Sequence, residues 1–348
     1  MTLNLLLIDD DAKQRKIAKD AIEIFLKKNP YSVKIDEADS FEGGVDKLAG
    51  TDYDAAIIDL RLKQNDTKGE GNELLKLIKQ RLRFPIRVVS GHLGDLDEEF
   101  KLQTYFSDYY SRDNVSYETI MADFINIHKT GITNILNNKG RINEDMSNIF
   151  WKHIAAILPE FVKEKAQDPN WDIEKILLRY ISSHILEYLE LSIENNLEPA
   201  HAIEFYIKPP IKSKIFTGDI VQNKKDKTFW IVLTPACDLA TDSKREAPKA
   251  EYVTICAIQN LTETHTGRNS GDIKKLASNS MDLKFHYLPQ SILFEGGYVN
   301  FQIIKSDKIK VILSDFEVTL VVAGHFKKDI ISRFSNYYSR QGQPSIYN

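Results

Sequence analysis

A doubly wound parallel α/β domain opens this chain and a β-rich, barrel-like domain closes it, with a helical stretch between them. Three observations predict that architecture. Short continuous apolar runs alternate with stretches of helical periodicity over residues 1–130. Apolar residues then recur at helical spacing from Arg141 to Leu191, and from about Phe205 onward short strand-like runs are separated by polar turns. The expected domains are therefore 1–130, 141–195 and 205–345. A chain of 348 residues has room for two or three domains, taking about 150 residues for each.

Leu5 to Ile8 is the kind of run that a parallel strand shows when both its faces are covered. After it, Ile17, Ala21, Ile24 and Phe25 share one helical face, with Lys19, Glu23 and Lys27 on the other. Val33 to Ile35 predicts a second strand, Phe41 to Leu48 a second helix and Ala55 to Ile58 a third strand. Ile86 to Val89 and Asp108 to Ser111 complete a five-stranded sheet. In the helical stretch Phe150, Ile154, Ile157, Leu158 and Phe161 share a face, and Pro159 should kink or end their helix. Asp168-Pro169 reads as an N-cap followed by a first-turn proline, opening a helix through Ile173, Leu177, Ile181 and Tyr188. Such helices suit a linker, a small bundle or a homodimer seam. Beyond them, Gly218–Val221, Thr228–Thr234, Tyr252–Ile258, Tyr298–Ile304 and Val318–Ala323 are strand-like, and Lys328 to Tyr337 is a closing helix. Together they predict a compact barrel or curled sheet.

Acidic and basic residues nearly cancel, leaving a net charge of -4, so no broad electrostatic footprint for nucleic acid or anionic lipid is written into the chain. The two cysteines, Cys237 and Cys256, fit a reducing compartment, and a cytoplasmic location is expected. The first apolar run has no basic leader and ends at Asp9-Asp10-Asp11, so neither a secretion signal nor a membrane anchor is expected there.

The chemistry-bearing residues sit where open α/β sheets collect them, at the carboxyl ends of strands. Asp9 and Asp10 follow the first strand and Asp59 the third. Three carboxylates brought together repel one another, which favours a divalent cation among them, and an all-oxygen ligand set points to Mg²⁺. A helix-cap or loop role would explain one such aspartate, but explains the paired placement less well.

The runs Leu5-Leu6-Leu7-Ile8-Asp9-Asp10-Asp11, Ala55-Ala56-Ile57-Ile58-Asp59-Leu60, Gly71-Asn72-Glu73-Leu74-Leu75 and Val88-Val89-Ser90-Gly91 together resemble the signature of two-component response-regulator receiver domains, over about a third of the chain. The resemblance implies Asp59 as phosphoacceptor, Asp9 and Asp10 as the acidic pair holding Mg²⁺, and the backbone carbonyl of Arg61 as a further metal ligand. It implies Ser90 as the hydroxyl that follows the phosphoryl group and Tyr109 as the aromatic switch residue. It also implies a sensor histidine kinase as partner. Receivers usually place a lysine after the fifth strand; this chain has none between Lys101 and Lys129, and Arg112 is the candidate replacement. The Leu60–Glu70 loop is longer and more charged than the resemblance leads one to expect.

Other residues invite chemistry less strongly. His153 and His184 lie on predicted helices, where a phosphotransfer role competes with a structural one. Cys237, in Thr234-Pro235-Ala236-Cys237-Asp238-Leu239, is either a nucleophile with His265 or His286 as its base or, preferably, a buried cysteine at a strand end with Asp238 capping a turn. Cys237, Cys256 and the histidines lack zinc-site spacing. Lys224, Lys225 and Lys227 read as a hairpin tip. The glycine-rich ATP-binding boxes of a histidine kinase are missing, so the expected protein is a phosphoacceptor and not an enzyme. Its later regions would bind a partner, another receiver or an effector, or tune a relay. The organisation weakly resembles response-receiver proteins of bacterial phosphorelays, including Detocs-type anti-phage (antiviral defence) systems in which a receiver is a phosphate sink. The alternative is a receiver controlling a catalytic or nucleic-acid-binding barrel.

Overall fold

The computed structural model describes residues 2–63, 69–168, 170, 172–190, 199–241 and 245–340. The chain forms two compact units, 1–196 and 197–348.

In the first unit β1 (Leu3–Ile8), α1 (Ala12–Lys28), β2 (Val33–Ala38), α2 (Phe41–Gly50), β3 (Ala55–Ile58), α3 (Glu70–Arg81), β4 (Ile86–Ser90), β5 (Ser107–Ser111) and α4 (Tyr117–Lys129) build a parallel sheet of order β2-β1-β3-β4-β5. This is the expected doubly wound α/β fold. The strands at its centre alternate between two cores, because successive side chains point to opposite faces. Leu3, Leu5 and Leu7 of β1 pack with Ala18 and Ile22 of α1 and Met121 and Phe124 of α4. Leu6 and Ile8 pack instead with Leu48 of α2 and Leu74, Leu75 and Ile78 of α3.

Two local devices set the positions of α1 and α3. Asp11 caps α1 by accepting the Lys13 amide at 2.8 Å. Gly71, in the first turn of α3, lies so close to the end of β3 that a Cβ there would stand 2.5 Å from the Asp59 carbonyl oxygen and from Leu60 Cα.

The return from β4 to β5 contains two 3₁₀ turns, Leu93–Asp95 and Glu98–Phe100, and no α-helix. It is tied to α3 and to the end of β3 by polar contacts. The Asn72 side chain donates to the Asp95 carbonyl at 2.7 Å and accepts the Asp97 amide at 3.1 Å. Arg61 pairs with Asp95, Lys76 with Asp97 and Lys79 with Glu99. Beneath this return is a mainly apolar cavity of about 500 Å³, bordered by Ile78, Phe84, Phe100, Phe106 and Leu136. Arg87 of β4 is buried to 1% exposure, donates to the Tyr105 carbonyl and to Asp123, and faces the Phe124 ring. It thereby links β4 to α4 and to the strand return.

The helical stretch belongs to the first unit. α5 (Ile132–Leu136) docks on the amino-terminal side of β3: Thr133 donates to Asp54 at 2.6 Å and Asn137 to the Tyr53 carbonyl at 3.0 Å. α6 (Arg141–Ile149) runs through a π-helical turn, Phe150–Ile154, into α7 (Ala155–Gln167), and α8 (Ile173–Glu190) follows. The helix does not stop at Pro159, contrary to one of the two outcomes expected there. That proline is the fifth residue of α7, and the helix runs on through it to Gln167. Pro169 lies outside the described residues. Asp172, and not Asp168, accepts the Lys175 amide at the start of α8, at 3.2 Å.

The second unit is an open antiparallel half-barrel. Its strands are β6 (Tyr206–Ile207), β7 (Asp219–Asn223), β8 (Phe229–Val232), β9 (Tyr252–Gln259), β10 (Phe285–Leu288), β11 (Gly297–Lys308) and β12 (Phe316–Val322), in the order β10-β11-β9-β8-β7-β12-β6. Short helices α9 (Ala236–Leu239), α10 (Leu261–His265), α11 (Ser270–Ala277) and α12 (Ile309–Asp315) connect strands, and α13 (Gly324–Ser339) packs its buried Ile330 with Ile220, Ile231, Val299 and Phe301. The β7–β8 hairpin tip holds Lys224, Lys225 and Lys227 as expected, with Lys227 at φ 62° and Asn223 Oδ1 accepting the Lys225 amide. Among the described residues no helix is long and apolar enough to cross a membrane.

The clearance at Gly71 makes a quantitative expectation. Gly71→Ala should lower unfolding stability by about 2–4 kcal/mol, because backbone on both sides of the new methyl has to move. Gly50→Ala, at a helical position with nothing within 4 Å of its would-be Cβ, should raise stability by about 0.5–1 kcal/mol. Urea unfolding of the two variants checks both signs.

Candidate functional site

The carboxyl ends of β1 and β3 bring Asp9, Asp10 and Asp59 together, with one carboxylate oxygen of each within 4.8 Å of the others. Asp9 and Asp59 are almost wholly buried, at 6% and 4% exposure, and Asp10 is half-buried. The Asp59 amide donates to the Ile8 carbonyl at 2.8 Å, which locks the end of β3 to that of β1.

Arg112 enters from the end of β5 and reaches both buried acids. One of its terminal nitrogens donates to Asp9 Oδ2 at 2.7 Å and to Asp59 Oδ2 at 2.8 Å. Asp9 Oδ1 accepts the Asp11 amide at 2.8 Å. Asp59 Oδ1 is buried and has no hydrogen-bond partner.

The electrostatics follow from burial with too little positive charge. Burial first, and the neighbouring Asp59 carboxylate second, push Asp9 up to about 6. Burial also raises Asp59, while the Ser90 hydroxyl and Arg112 pull it back. Three carboxylates against one guanidinium leave two negative charges, which one divalent cation would balance. The donor set is all oxygen and includes Asp59, which still has an unpartnered buried oxygen, so these residues fit Mg²⁺.

Ser90, fully buried at the end of β4, accepts the His92 amide on its hydroxyl oxygen at 3.2 Å, which leaves its proton free to donate. Tyr109 is half-buried on β5, opposite Val88, against the core that holds Leu96 and Phe100. The Arg61 side chain is turned toward Asp95, with Nε at 2.8 Å. The part of the Leu60–Glu70 loop at 64–68 lies outside the described residues. The sequence reading missed Tyr117. Its hydroxyl is raised by burial and, after that, by the charge of Asp9, and it feels Arg112 and Asp59 as well. An aromatic residue in the first turn of the helix after β5 was the available signal.

The other candidates stay apart from this cluster. His153 and His184 meet each other at 5.6 Å between ring centroids, and His184 Nδ1 lies 2.9 Å from the Tyr180 carbonyl. Cys237 is exposed on α9, not buried, with Asp238 at 3.7 Å. Neither expected base contacts it among the described residues: His265 bonds the Tyr298 hydroxyl at 3.0 Å, and His286 pairs with Asp329 at 2.9 Å. Cys256 is buried against the Asn300 carbonyl, and burial pushes its thiol up to about 12.

No protein-family model matches the chain, and no curated protein matches it. Solved structures do. A CheY-like response regulator receiver domain from Methylobacillus flagellatus is 19% identical over 36% of this chain and 99% of its own, with a TM-score of 0.29. The amino-terminal domain of a response regulator/sensory box/GGDEF three-domain protein from Carboxydothermus hydrogenoformans is 19% identical over 38% of this chain and 98% of its own, at 0.29. A CheY-like receiver domain protein from Methanospirillum hungatei is 22% identical over 37% and 99%, at 0.27. At these values the likeness adds nothing to the chemistry of the site. The doubly wound fold of the amino-terminal domain stands on its own strand order, and its acidic cluster lies at the strand ends.

Proposed function

We propose that the amino-terminal domain accepts a phosphoryl group on Asp59 from the phosphohistidine of a sensor histidine kinase, with Mg²⁺ held by Asp9, Asp10, Asp59 and the Arg61 carbonyl. The half-barrel domain would bind the partner that responds. One observation carries the reading: a buried carboxylate oxygen, Asp59 Oδ1, is left without a hydrogen bond in the middle of an acidic cluster. In the reaction that oxygen attacks phosphorus, the P–N bond of the donor breaks, and its electron pair returns to the imidazole. A bound Mg²⁺ supplies charge stabilisation for the transferring oxygens. Arg112 keeps Asp59 oriented through Oδ2 and has further donors to offer the new phosphoryl oxygens. Ser90 turns its free proton to the same group. Because Ser90 also holds the His92 amide, that motion draws on the β4–β5 return and on Tyr109 beside it.

The direct test is labelling by a small acyl-phosphate donor followed by mass spectrometry. The expected outcome is one phosphoryl group on Asp59, lost in Asp59→Asn and lost on chelation. Undiminished labelling of Asp59→Asn, or labelling in the presence of chelator, would sink the reading.

Arg112 and the metal neutralise the same acids, so they oppose one another. Removing the guanidinium in Arg112→Ala should tighten Mg²⁺ binding by about tenfold, since the metal then meets a more negative site. The same change should cost about 2–4 kcal/mol of metal-free stability, because it strands buried carboxylates. Calorimetric Mg²⁺ titration and chelated urea unfolding read the two effects; weaker Mg²⁺ binding would show that Arg112 helps the metal and does not compete with it.

Proton linkage gives an independent check. The folded Asp9 carboxyl titrates at about 6, above its ordinary value of 3.8, so between these limits the folded chain binds more protons than the unfolded one. Metal-free stability should therefore rise as pH falls from 7.5 to 5.5. The rise should shrink in Asp9→Asn and flatten or reverse in excess Mg²⁺, which favours ionised carboxylates. Thermal melting at several pH values, with chelator and with Mg²⁺, measures it.

A further inference from the structure

The helical stretch brings together two histidines that lie far apart in sequence. His153 belongs to the π-helical turn Phe150–Ile154, where the Ala155 amide donates to the Phe150 carbonyl five residues back. The extra residue of a π turn weakens the local ladder, and such turns collect at functional sites. His184 lies on α8, with its ring centroid 5.6 Å from that of His153 and the two planes tilted by 44°. The close sequence spacing of a zinc motif is absent, and the fold supplies the approach instead.

The tautomer of His184 follows from its neighbour. Its Nδ1 lies 2.9 Å from the Tyr180 carbonyl oxygen, which can only accept, so Nδ1 carries the proton and donates. In the neutral ring the lone pair is then on Nε2. A backbone carbonyl that anchors one ring nitrogen and leaves the other as the electron-pair donor is the usual support of a metal-bound histidine. Packing fixes the ring further: His184 meets Tyr180 at 4.3 Å, and Tyr180 meets Phe161 of α7 at 5.7 Å. Two imidazoles on one tetrahedral zinc, with Zn–N of about 2.0–2.1 Å, have ring centres about 5.2 Å apart, and an angle of about 120° at the metal makes this about 5.5 Å. The observed separation fits that range. Aromatic contact alone would account for the distance, but not for the anchored Nδ1 that presents Nε2 as donor. Glu187 is exposed and stands three residues further along α8, the spacing that makes side chains neighbours on a helix surface. A turn of its side chain would add a carboxylate to the two nitrogens, and two histidines, a glutamate and water form a known zinc shell.

We propose that His153 and His184 form a second metal site, which takes Zn²⁺ through Nε2 of His184 and a ring nitrogen of His153, with Glu187 and water completing the shell. His153 is exposed, so the ion has a path in from solvent. Imidazole nitrogens favour zinc and similar metals over Mg²⁺, so this pair and the acidic cluster select different ions. The bound zinc ties the π turn to α8, and it does so whether or not Asp59 accepts a phosphoryl group.

Zinc uptake by the full, untagged chain tests it. The background is Cys237→Ser, which removes the exposed native thiol, with excess Mg²⁺ present to occupy the acidic cluster. Competition against a chromophoric chelator should show one histidine-dependent Zn²⁺ per chain, bound at about 10 µM metal or below. His153→Ala and His184→Ala should each weaken that uptake at least about tenfold, with helix content unchanged by circular dichroism. Glu187→Gln should weaken it by a smaller factor, and Asp59→Asn should leave it as it is. In long-range nitrogen-15 spectra zinc should shift Nε2 of His184 and leave Nδ1 protonated, which a purely structural histidine would not show. Uptake indifferent to both histidine substitutions, or no histidine-dependent uptake below about 100 µM Zn²⁺, overturns the proposal. So does loss of the zinc in Asp59→Asn, which would place the ion in the acidic cluster, or coordination through Nδ1 of His184. Unchanged binding in Glu187→Gln removes the carboxylate from the shell.

Discussion

Two carboxylates buried side by side, sharing a single guanidinium, are the constraint around which the amino-terminal unit is built. Water would solvate Asp9 and Asp59 far better than the ends of β1 and β3 do, and their raised titration points register that deficit. Arg112 relieves part of it from the far edge of the sheet. Holding the acids there also demands a rigid backbone. The amide of Asp59 is tied to the β1 carbonyl at Ile8, and α3 comes in so closely that only glycine fits at position 71. Four wholly buried residues in β3 hold the frame behind them.

Much of this was legible in the sequence because burial and chemistry coincide there. Apolar runs such as Leu5–Ile8 and Ala55–Ile58 have few ways to pack except as central parallel strands, and an acid directly after such a run lands at a strand end. The approach of a cation to these acids was legible for a similar reason: Arg112 is the basic residue directly after the fifth strand, and it contacts Asp59. What escaped depends on contacts that no local pattern announces. Tyr117 approaches the acids only because α4 begins beside β5. The docking of α5 uses long-range contacts, among them the Thr133 hydroxyl finding a buried Asp54 seventy-nine residues earlier. The ordinary helix-breaking weight of Pro159 predicts a stop there, whereas α7 runs through it. In the half-barrel, β10 was missed because Phe285–Leu288 carries a histidine, whose pairing with Asp329 on α13 is a long-range event. Cys237 was placed at a buried strand end, but the chain turns into α9 there and leaves the thiol in solvent.

The return between β4 and β5 has a mechanical consequence. An α-helix at that place would carry its own ladder of hydrogen bonds and move as a stiff rod. Two single 3₁₀ turns have almost no stiffness of their own, so the segment borrows its shape from Asn72, Arg61, Lys76 and Lys79 on the far side. The three ion pairs are partly exposed and individually weak, and dissolved salt loosens them together. Ionic strength thus acts on this segment as a dial, softening or tightening its tether to α3 while the buried acids are shielded from the same ions. Any displacement of this segment meets the same tether, so its amplitude depends as much on the medium as on the event that begins it.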